Sequence, residues 1–187
     1  MSPGRSPALI VTLFADRRSI DLDGIANQLH RVLAQSGERP LLRLVGGADG
    51  TLPAPADLAS DIDQLATRAT VVLVAIRGPF LQDVLVAFDR ADRAVAFTDG
   101  SVPSVRDLRR MLKLTASLGL GMDRVHVVLL EGGEGALDPS GLASALQRDV
   151  LAVLPSADAP APARLAAYRD LARRLLGSDC LVPNGNT

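Results

Sequence analysis

The chain has 187 residues, 48% apolar and 22% charged, a balance that supports one sizeable hydrophobic core and excludes disorder over most of the length. Its 20 basic and 21 acidic residues nearly cancel to a net charge of −1, and aromatics are only 3% with no Trp, so neither bulk attraction to nucleic acid nor base stacking is expected. Cys180 is the only cysteine, which rules out an internal disulfide and multi-cysteine metal centres. With no signal-peptide pattern and no apolar run near the ~18 residues of a membrane span, the expected location is cytoplasmic.

Residues 8–14, ALIVTLF, form an apolar, β-branched run suited to a strand buried on both faces. Asp21 or Asp23 can cap the helix that follows, in which Ile25, Leu29, Val32 and Leu33 recur at helical spacing up to Gly37. A second strand is predicted at 40–45, a Gly/Asp/Pro-rich loop at 46–56, a helix at 58–68 and a strand at 70–76. Beyond Gly78 and Pro79 the spacing predicts a helix over 81–91, a strand over 93–98 and a helix over 104–118, closed by Gly119 and Gly121. A strand at 125–130, a helix at 139–146, a strand at 150–154 and an amphipathic helix at 163–176 complete the series. Strands alternating with helices imply an α/β fold: a mostly parallel sheet with right-handed crossovers and helices on both faces, three layers in all. The expected organisation is an extended or disordered start (1–7), a single domain (8–177) and a flexible tail (178–187).

In such a sheet ligands bind beyond the carboxyl ends of the strands, so the first β–α loop is the first place to look. It reads ADRRSIDLDG over 15–24, with a single glycine where a phosphate cradle needs several to bring backbone N–H groups together. Asp16, Asp21 and Asp23 would repel phosphate, and Arg17 and Arg18 offset them only in part. The one lysine of the chain, Lys113, falls inside a later helix, so none reaches nucleotide phosphates from a loop.

The order of several segments resembles the ParA/MinD group of P-loop ATPases, and its CpaE/TadZ branch in particular. These are the strand before Gly78-Pro79-Phe80, Ala91-Asp92 before a strand, PSVRDLRRML over 103–112, RVHVVLL over 124–130 and VLAVLP over 150–155. Ile25 to Leu29 are similar to the helix after that group's phosphate loop. Four nucleotide-handling positions depart from the pattern. The loop has Ser19-Ile20-Asp21-Leu22-Asp23-Gly24 in place of glycines, lysine and a magnesium-binding hydroxyl, and no acid follows the second strand near 43–45. Ala75 stands near the expected aspartate, and Glu131 near the expected asparagine.

The resemblance thus implies a vestigial loop (Asp16, Arg17, Arg18, Ser19, Asp21, Asp23, Gly24), no cofactor, no hydrolysis, and a homodimer working as a localisation or assembly scaffold. The partners implied are proteins of secretion, pilus or polar-localisation machinery, with recruitment to membrane or pole and no specific nucleic acid. Two alternatives stay open: an ATP-binding enzyme whose loop uses Arg17 and Arg18, and a regulatory module for a separate catalytic protein.

Other candidates carry less chemistry. His30 and His126 have no neighbouring ligand cluster, and Ser19, Ser101 and Ser104 lack a nucleophile elbow. Ser104 is expected as a helix N-cap with Asp107 three residues on, and Gly132, Gly133 and Gly135 as a turn. Arg106, Arg109, Arg110 and Lys113 make a basic stripe at helical spacing, while Arg164, Arg169, Arg173 and Arg174 decorate the last helix. Of these, Arg106, Arg109, Arg110, Lys113, Arg169 and Arg173 are the candidates for contact with acidic partners or anionic lipid.

Overall fold

The computed structural model describes residues 7–15, 20–46, 53–77, 82–119, 121–132 and 135–177. The expectations for the two ends of the chain (Pro7 and Gly177 mark the first and last described positions), and those for Asp16, Arg17, Arg18 and Ser19, lie outside them. Six strands run β1 (Leu9–Ala15), β2 (Pro40–Val45), β3 (Val71–Arg77), β4 (Arg93–Thr98), β5 (Val125–Leu130) and β6 (Val150–Leu154). They form one sheet in the order β2-β3-β1-β4-β5-β6, and every pairing is parallel. The α/β, mostly parallel expectation is met.

Parallel neighbours need crossovers, and the six helices supply them: α1 (Leu22–Gln35), α2 (Pro55–Ala66), α3 (Gln82–Arg90), α4 (Val102–Ser117), α5 (Pro139–Leu146) and α6 (Ala161–Leu176). The chain leaves β1 toward the β2 edge and then works back across the sheet. With right-handed connections this puts α1 on one face and α2 to α5 on the other. The core is divided accordingly. Leu29 and Val32 of α1 join Leu171 and Leu175 of α6 beneath Val11, Leu13 and Ala15 of β1. On the opposite face Leu58, Phe88, Leu108 and Leu142, one from each of α2 to α5, cover Phe14, Val72, Val74 and Ile76. The period of two in β1 sends successive side chains to the two layers, which is why its run is apolar without alternation.

Three helices begin earlier than expected for one reason. α2, α4 and α6 each carry a proline in their first turn, where its fixed φ suits a helix and its missing N–H would have had no partner. Treating those prolines as breaks places the starts two to three residues late. The Ser104 cap is corrected with them. Ser101 occupies the cap position of α4, its Oγ donating to Asp99 Oδ1 at 2.7 Å. Ser104 lies one turn in, fully buried, hydrogen-bonded to the equally buried Thr98 at 3.0 Å.

Charged side chains tie down the N-terminal end of the sheet. Asp92 accepts the Ile10 N–H at 2.8 Å and returns its own N–H to Ile10 O at 2.9 Å, clamping the start of β1. Arg148 donates to Met122 O and Val125 O, and Arg124 to Ala91 O. Among these cations His126 is partly buried; burial foremost, then Arg93 and Arg148, hold its pKa below 6.5, with Asp123 opposing. His30 sits against Pro40 O at 3.1 Å, a structural contact between α1 and β2.

Candidate functional site

β1 is the strand at which the connections change face. α1 leaves it on one side, whereas α3 and α4 leave its neighbours β3 and β4 on the other. A crevice at the carboxyl end of the sheet belongs here, with the N-terminus of α1 as its anion-binding element.

That helix end is already engaged by the chain's own carboxylates. Asp21 is the N-cap, and its Oδ1 accepts the Gly24 N–H at 3.0 Å, while Ile25 N–H bonds Asp21 O. Of the two caps left open by the sequence, Asp21 is the one used. With no Cβ at Gly24 the Asp21 carboxylate lies directly against its backbone; a Cβ there would make that carboxylate shift. Asp23, in the first turn, forms an ion pair with Arg77. Arg77 Nε donates to Asp23 Oδ1 at 2.6 Å, and Arg77 Nη2 meets Asp23 Oδ2. Arg77 ends β3 beside Ala15 in the β1–β3 register, so the sheet itself delivers the cation to the helix end. Both acids favour the positive end of the helix dipole. Tyr168 of α6 lies close enough to feel Asp21; burial chiefly, and that carboxylate second, push its phenol above 10.0.

The described residues here do not fit a Mg·nucleotide. A phosphate at the helix end would have to displace the Asp21 carboxylate from Gly24 and face Asp23, whose charge Arg77 already neutralises. Lys113 is on exposed α4, remote from this loop in the chain. The other positions of the expected pattern hold structural groups: Ala75 is buried within the α1 layer, Arg43 pairs with Asp61 at 2.9 Å, and Glu131 N–H bonds Leu154 O. Among the described residues no three His, Cys, Asp or Glu side chains converge to hold a metal.

The neighbouring loops are built of backbone. Asp99 Oδ1 accepts from the Ser101 N–H at 3.0 Å, Gly100 adopts φ +72°, and Gly100 O accepts the Leu137 N–H. A Cβ at Gly132 would run into Asp99 O. The described part of the second glycine-rich segment therefore packs two loops together.

The cationic candidates divide between the two faces. Arg106, Arg109, Arg110 and Lys113 are all exposed on α4, with Asp107 3.9 Å from Arg106 and from Arg110. Arg169 and Arg173 lie on α6, across the sheet, so the six do not form one patch. Arg173 pairs with Asp170 at 3.1 Å, and Arg174 is fixed by Asp170 and by Leu151 O on the β6 edge. The Arg77–Asp23 pair had no place among the sequence candidates. Its signal was an arginine closing an otherwise apolar strand, opposite an acid in the helix after a neighbouring strand.

No family model matches the sequence, and no curated protein matches it. Solved structures do match. The chain is similar to a protein of the MinC:MinD cell division complex of Aquifex aeolicus at 13% identity, covering 95% of this chain and 99% of that one with a TM-score of 0.77. MinD of Pyrococcus horikoshii OT3, solved with Mg-ADP, matches at 14% identity over 94% and 100% of the two chains, TM-score 0.73. A plasmid partition protein of Borrelia burgdorferi B31, solved with AMPPNP, matches at 9% identity over 92% and 99%, TM-score 0.70. The fold is that of the MinD and ParA-type ATPases, as the sequence resemblance implied. Among the described residues no helix is long and apolar enough to cross a membrane.

Proposed function

We propose that the chain is a non-hydrolysing protein of the ParA/MinD type, akin to the CpaE/TadZ branch, and that it acts as a localisation or assembly scaffold through protein contacts. The observation that carries the reading is the N-terminus of α1, where Asp21 holds the Gly24 N–H and Asp23 holds Arg77. The same helix end that could receive phosphate is satisfied by the chain's own acids, so a triphosphate would have to displace the Asp21 carboxylate to reach it. One solved neighbour is named as a complex of MinD with MinC, which makes a protein partner the natural expectation for this fold. A homodimer without nucleotide, recruited to its partner from the cytoplasm, completes the reading.

The test is ATP turnover by the purified chain with Mg²⁺, alongside the position of a fluorescent fusion in the native host. The expected result is no phosphate release above background and a localised fusion that Arg17→Ala and Arg18→Ala leave in place. Turnover that these two substitutions abolish would instead establish an enzyme with an arginine-based phosphate loop.

A further inference from the structure

We infer that α4, with the groove at its C-terminal end, is the docking site for an acidic amphipathic helix of a partner protein; this rests on the protein-contact reading above and gives the partner a chemistry. α3 packs on α2, and between this pair and the end of α4 lies a groove of about 570 Å³. Ala56, Ala59, Leu85 and Val86 line it from α2 and α3, and Leu118 from the end of α4. Leu118 is 50% exposed and Leu114, one turn earlier, 45% exposed, well beyond what large apolar side chains with a partner in the fold retain.

The row continues in the same direction. Arg106, Arg110, Leu114 and Leu118 follow each other at intervals of four, so two cations and two leucines share one ridge of the helix. Lys113 and Arg109 are exposed beside them, and Asp107 is the only acid of α4. Across the groove Arg90 is neutralised by Asp63, whose two oxygens lie 2.7 and 2.8 Å from Arg90 Nη1, leaving Asp89 as the acid on that wall.

The complementary surface is a helix whose apolar residues, at intervals of three and four, enter the groove against Leu118 and continue over exposed Leu114. Its carboxylates would lie one to two turns away, against Arg110 and Arg106. Asp89 sets the polarity, since the acidic flank must face α4. Asp89 on the facing wall would be repelled by anionic headgroups, which favours a partner helix over a bilayer.

The test is photo-crosslinking in the native host from a photoreactive residue in place of Ala56, with the crosslinked segment read by mass spectrometry. The expected product is a segment of another protein with apolar residues at helical spacing and an excess of Asp and Glu. Arg106→Glu with Arg110→Glu should reduce its yield about tenfold, the equivalent of about 1.4 kcal/mol, while Arg169→Glu on the opposite face should not change it. A circular-dichroism melt of the double variant separates loss of docking from loss of fold. Crosslinks to a second copy of this chain, to lipid, to a segment without excess acid, or to nothing would overturn the inference, as would a yield indifferent to the double variant. ATP turnover by the unmodified chain would remove the non-hydrolysing reading and leave this result standing; absent crosslinks without turnover would do the reverse.

Discussion

At the carboxyl end of β1 the described charges are used inside the molecule, whereas along α4 they are left to solvent. Asp21 closes the helix that follows β1, and Asp23 and Arg77 satisfy each other across the β1–β3 register. On α4 four cations are exposed, two of them, Arg106 and Arg110, 3.9 Å from Asp107, next to two half-exposed leucines. A surface can bind only with groups that are not already bound. The two regions therefore differ in what their described residues leave unengaged: the start of α1 is satisfied from within the chain, while α4 presents exposed cations and leucines.

The comparison can be broken most severely from below. Leu29 beneath α1 and Leu108 beneath α4 are both buried, and Leu→Ala at either should cost about 2–5 kcal/mol in urea unfolding. Only Leu29→Ala should speed hydrogen exchange at Gly24, because only it loosens the capped end of α1. Asp21→Ala removes the cap itself and should cost about 1 kcal/mol by the same assay. Arg106→Glu with Arg110→Glu should stay within about 0.5 kcal/mol of the parent, as expected of exposed charges with little internal work. The smallest effect concerns pH. The folded chain holds His126 below 6.5, so the unfolded chain takes up that proton first as pH falls. The stability from neutral His126 is complete above pH 6.5 and declines below it; His126→Gln should flatten that decline in pH-dependent melts while leaving both regions intact.

The sheet was legible because its strands are largely apolar runs, the central ones buried on both faces, and β2, β4, β5 and β6 fall on the predicted residues. The helix starts were not, because Pro55, Pro103 and Pro162 each read as breaks in a sequence and as first-turn residues in a helix. The departure from a phosphate loop was visible in the missing glycines and lysine. What stands in its place was not: Asp23 and Arg77 are 54 positions apart and meet only through strand register. The split of the basic residues between faces likewise depends on the direction of each crossover, which charge patterning does not encode.

The central claim, that internal carboxylates hold the place of nucleotide phosphate, is tested most directly by calorimetric titration of the unmodified chain with Mg·ATP, beside Asp21→Asn with Asp23→Asn. The account predicts no saturable heat from the unmodified chain, and weak, salt-sensitive phosphate binding in the double variant, where Arg77 and the Gly24 N–H are released. Saturable binding of Mg·ATP by the unmodified chain, undiminished by salt and unaltered by the two substitutions, would contradict it.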